Sequence, residues 1–142
     1  MEVINHECYV SFEVAKLLKK AGFDWECKKI HFKTGWKGND DVWELEDNNK
    51  KTKLVLELDY CLLAPTLEVV QRWLREVKNC YVGVEVFVHN LDKNNIYYTY
   101  NWIVYLDGDR YSGSDIDTTR YYEVVQETSI KKALELILEK GE

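Results

Sequence analysis

A chain of 142 residues, 46% apolar and 31% charged, has the balance of a globular protein rather than a disordered tail, and a single domain over residues 1–142 is expected. A net charge of −6 and a pI near 5.2 make nucleic acid an unlikely partner, because that affinity rests on lysine and arginine displacing counterions. The opening Met1-Glu2-Val3-Ile4-Asn5-His6-Glu7 lacks the basic and apolar stretches of a secretion signal, and no run approaches the ~20 apolar residues of a membrane helix. A cytoplasmic protein without membrane contact is therefore expected.

Residues 11–22 carry Ser11 as a helix cap, apolar Val14, Leu17, Leu18 and Ala21 at helical spacing, and Gly22 where a left-handed terminator is wanted. Residues 28–33, 42–46 and 53–59 alternate or run β-branched and aromatic, and they predict an antiparallel meander of three strands. In the third run Leu54, Leu56 and Leu58 fall on one side, with Val55, Glu57 and Asp59 on the other. A second helix follows Pro65, capped by Thr66, with Leu67, Val70, Trp73, Leu74 and Val77 as its apolar stripe and Asn79 as its terminator. Trp73 reads as core, and Arg72 and Arg75 as surface partners of Glu68 and Glu76.

Val82, Val84, Val86 and Val88 alternate with Tyr81, Gly83, Glu85 and Phe87, and after a turn at residues 91–95 an aromatic run covers residues 96–106. Residues 119–139 predict one long helix, with a strand over residues 121–126 as the alternative. The order predicts an α+β fold, one mainly antiparallel sheet with three helices packed on one face.

Three pieces carry a resemblance: residues 9–23, Ala64-Pro65-Thr66-Leu67 leading to Arg72-Trp73-Leu74-Arg75-Glu76-Val77, and Tyr122-Glu123 leading to Ala133-Leu134. Together they resemble small uncharacterised proteins of gut Bacteroides-type bacteria and of their phages and prophages. The last piece departs from that pattern at Val124-Val125-Gln126, where the group favours Ala. No activity or binding residue belongs to the group. The resemblance implies an accessory protein of a mobile element, a class that more often binds than catalyses.

No catalytic set, metal set or cofactor motif assembles locally. The four cysteines, Cys8, Cys27, Cys61 and Cys80, form no C-x-x-C pair and read as scattered reduced thiols. His31 and His89 read as strand residues facing water or capping, and His6 near Cys8 lacks the second pair a metal needs. Residues 107–118 gather carboxylates but place Tyr111 and Thr118 where a calcium loop requires oxygen ligands and a glutamate, so they read as a solvated loop. Gly35-Trp36-Lys37-Gly38 reads as a turn. Lys28, Lys29, Lys33, Lys50, Lys51 and Lys53, with Phe32, Trp36 and Trp43, suit a guarded sheet edge better than a single-strand nucleic-acid platform.

The strongest site candidate is the aromatic run. Tyr98, Tyr100 and Trp102 share one sheet face, while Tyr97, Thr99, Asn101 and Tyr105 share the other. One face must take the helices. The other offers amphipathic rings to an unidentified protein partner or to a second copy in a homodimer. The expected function is thus a noncatalytic protein–protein interaction module, with Tyr97, Thr99, Asn101, Tyr105 and Arg110 as binding residues. The alternative is a small-ligand, nucleotide-like binder that stacks on Tyr and Trp and holds phosphate with Arg110, Arg120 or lysines.

Overall fold

A computed structural model describes residues 8–35, 42–114 and 121–141. Its backbone gathers into two compact units, Met1–Val69 and Val70–Glu142. The α+β class is as expected, but the described residues form four helices and two three-stranded antiparallel sheets, not three helices on one sheet.

In the first unit, helix α1 (Phe12–Ala21) starts where Ser11 Oγ accepts from the Val14 N–H and stops at Gly22, whose φ of 91° is the left-handed terminator. Strands β1 (Lys29–Gly35) and β2 (Val42–Asp47) pair antiparallel. Residues 53–59 depart from expectation. They form a short helix, α2 (Thr52–Glu57), and the third strand is β3 (Cys61–Leu63). The alternating leucines misled because a single helical turn also separates neighbours, and here Val55 is the buried side chain while Leu54 is exposed. Strand β3 pairs with β1, so the order is β2-β1-β3 and not a meander.

Phe12 sets its ring 4.6 Å from that of Trp43 and 6.2 Å from His31, which lie on a shared face of β1 and β2. Val10, Val14, Ala15, Leu18, Phe23, Ile30 and Val55 are buried with β3. The segment before α1 is tied to the one after β3, with Val10 N donating to Pro65 O and Leu67 N to Cys8 O.

Helix α3 (Leu67–Lys78) is capped by Thr66, whose Oγ1 accepts from the Val69 N–H at 3.3 Å. Asn79, at φ 50°, ends it. The second unit then forms β4 (Cys80–Asp92), β5 (Asn95–Leu106) and β6 (Asp109–Gly113) in that spatial order. Strand β6 lies where the sequence predicts a solvated loop. Asp107 and Gly108, with φ of 54° and 84°, make the two-residue turn that right-twisted hairpins favour.

Helix α4 (Tyr122–Lys140) begins within the stretch offered as an alternative strand, so that alternative is overturned; Thr119 and Arg120 lie outside the described residues. It covers the sheet face that carries Tyr100, Trp102, Val104 and Leu106. Tyr122 meets Tyr100 edge-on at 5.4 Å, the Lys132 ammonium lies over Trp102, and buried Ser129 donates to Ile103 O at 2.7 Å. Val125, Ile130, Ala133 and Leu134 are buried, as are Val104, Leu106 and Cys80. Gly113 opposes Trp102 on β6, and an added Cβ there would come within 2.9 Å of the indole.

Candidate functional site

Alternation along β5 sorts its side chains, and the register of β4 and β6 completes each face. Opposite α4, Tyr81 pairs with Tyr105 and Tyr105 with Arg110, which makes one row across all three strands. The next rows on that face are Gly83, Ile103 and Ser112, then Glu85 and Asn101, Phe87 and Thr99, and His89 and Tyr97. All five residues predicted as binding residues, Tyr97, Thr99, Asn101, Tyr105 and Arg110, thus share the face that α4 leaves uncovered.

The face is aromatic at its two ends, with Ser112, Glu85 and Asn101 between them. Tyr81 is 51%, Tyr105 46% and Phe87 40% exposed. Tyr97 stacks on His89 with ring centres 4.6 Å apart and planes within 7°, and His89 Nε2 lies 2.8 Å from Thr99 Oγ1. These contacts hold the rings in place, so little motion is lost when a partner covers them. Arg110 donates to Glu85 Oε2 at 2.7 Å and to Ser112 Oγ at 3.4 Å. A hydrogen bond with Tyr105, then the negative charge of Glu85, hold its pKa above the ordinary arginine value.

Tyr81, Glu85 and Phe87 belong to this surface although the sequence reading placed the site on β5 and Arg110 alone. Their signal was available: they alternate with valines on the strand preceding the aromatic run. Which β4 residue faces which β5 residue depends on the turn. The structure places an irregularity there, between Asn90 and Asp92.

The other candidates take structural places. His31 was expected to face water or cap a strand; instead it is only 9% exposed, with Nε2 2.8 Å from Val10 O. Burial pushes the Cys27 thiol up to about 12 and Cys80 up to about 11, the latter helped by Asp107. Such thiols are poor nucleophiles at neutral pH. Among the described residues no three of His, Cys, Asp and Glu group to hold a metal, and no helix is long and apolar enough to cross a membrane. His6, Trp36 to Asp41 and residues 115–120 lie outside the described set. Of the aromatics on β1 and β2, Trp43 lies tilted against Phe12, and Phe32 packs edge-on to Tyr60 with the Lys50 ammonium over it. A recess of about 220 Å³ in the first unit is lined by Tyr9, Glu26, Cys27, Lys28, Pro65 and Thr66, among others, and brings no reactive pair together.

Comparison of the chain with protein-family models, with curated proteins and with solved structures finds no match.

Proposed function

We propose that the chain is a noncatalytic interaction module, a cytoplasmic accessory protein of the phage or mobile-element type, which docks a host protein on the face of β4, β5 and β6 opposite α4. One observation carries this reading. Tyr81, Phe87 and Tyr105 stand half-exposed on that face, Phe87 beside the stacked Tyr97 and His89 and the other two at its opposite end. Rings with few rotors and a polar handle are what protein interfaces use as anchors. Thr99, Asn101 and the Arg110–Glu85 pair supply polar groups between and beside the rings. The nucleotide-like alternative gains no support from Arg110, whose guanidinium already serves Glu85, Ser112 and Tyr105.

The test is capture from host extract by the wild type and by Tyr97→Ala/Tyr105→Ala, with thermal unfolding of both. Each ring, as an anchor, contributes ~2 kcal/mol or more, a factor of ~30, so the double variant should weaken partner binding by roughly several hundred-fold. Its unfolding should stay cooperative. Undiminished capture, or a variant that no longer folds, would refute the reading.

A further inference from the structure

Among the described residues, the order β4-β5-β6 leaves β4 at the edge of its sheet, with no strand paired to its outer row of backbone N–H and C=O groups along 13 residues. Soluble proteins blunt such edges with lysine, proline or bulges, because an open edge is a template for another strand. Regular pairing of β4 runs from Cys80 to Asn90, and this stretch contains no lysine, arginine or proline; its irregularity comes only at Leu91. The far half is exposed on both faces, with Val86 and Phe87 uncovered, Val88 63% exposed and Leu91 74% exposed.

We infer that β4 pairs antiparallel with β4 of a second copy of this chain, centred on Phe87, to give one continuous six-stranded sheet. A twofold axis that pairs a strand antiparallel with itself stands perpendicular to the sheet and places one residue opposite its own copy. Centring on Glu85 would oppose two carboxylates. Centring on Val84 would spend the contact on the more covered half of the strand, from buried Cys80 to Val84, and leave His89 and Asn90 without partners in the regular stretch. With Phe87 opposite Phe87, Val86 meets Val88 on one face, and Glu85 meets His89 on the other.

That last pair is complementary. It sets a carboxylate opposite an imidazole rather than opposite a second carboxylate, with Glu85 also bonded to Arg110 and His89 to Thr99 within each copy. The perpendicular axis also puts the two aromatic faces side by side, so the dimer would double the surface proposed for partner docking. The inference does not rest on that proposal, because it is carried by the edge of β4 and not by the rings of β5.

Light scattering after gel filtration tests it. The wild type should have twice the 16.9 kDa chain mass, and Val86→Lys/Val88→Lys should have the single mass, because the new lysines face each other across the axis. Tyr105→Ala should remain dimeric, which separates this inference from the proposed docking face. In a Cys8→Ser background, Phe87→Cys should cross-link to its copy under mild oxidation, since opposed Cα atoms lie ~4.5–5.5 Å apart, within disulfide reach. Tyr81→Cys should not. Hydrogen exchange on the wild type needs no variant: dilution should speed exchange at residues 84–90 and leave α4 unchanged. A wild-type monomer at all concentrations, a dimer that survives the lysine pair, or cross-linking at Tyr81→Cys in place of Phe87→Cys would overturn the inference.

Discussion

Burial governs the thiols. Cys27 and Cys80 have pKa values raised from 9.0 to about 12 and about 11, the first by burial alone and the second with help from Asp107. Between 9 and those values the folded chain keeps protons that the unfolded chain releases. The unfolded state then binds fewer protons, so stability falls as pH rises through this window and is unaffected by these groups below it. Urea midpoints measured from pH 8 to pH 11 should fall for the wild type and fall less steeply for Cys27→Ser/Cys80→Ala; equal slopes would contradict this origin. Residues that act on their own neighbours were legible in the sequence. Ser11, Gly22, Thr66 and Asn79 sit where a cap's chemistry puts them, because a cap bonds within three or four residues. His31 was not legible, since its partner Val10 lies 21 residues away.

At the scale of elements, long amphipathic patterns were legible and short ones were not. The stripe of α3 and the alternation of β4 and β5 repeat often enough to fix their period. A six-residue stretch such as α2 does not, and Leu54, Leu56 and Leu58 suit a strand and a helical turn alike. Strand β6 was hidden by its acidic and small residues, although Asp107-Gly108 is a hairpin-turn pair in its own right. The docking of α4 depends on Ser129, whose fully buried hydroxyl bonds the Ile103 carbonyl. Ser129→Ala should cost about 1 kcal/mol in urea unfolding. Thr128→Ala loses only a bond to its own helix, at Val124 O, and should cost less than ~0.5 kcal/mol. Equal costs would mean that the Ser129 bond does not hold the helix to the sheet.

For the whole molecule, alternation in β5 divided its residues into two faces correctly, and both the four predicted binding residues on that strand and the ring set opposite them emerged from it. It did not say which face a helix would cover. That is decided by α4, some twenty residues further on, through Tyr122 against Tyr100 and Lys132 over Trp102. Nor did it reveal that β1 to β3 and β4 to β6 belong to separate sheets, because β3 is only three residues long and carries little pattern. The aromatic face therefore joins a local property, side-chain alternation, to a distant one, the side on which α4 lands. Hydroxyl-radical footprinting of the protein, free and bound to its captured host partner, measures that face ring by ring. The account predicts that Tyr81, Phe87 and Tyr105 are labelled in the free protein and protected in the complex, with Trp43 and Tyr60 of the first unit unchanged. Protection confined to the first unit, with those three rings labelled equally in both states, would contradict it.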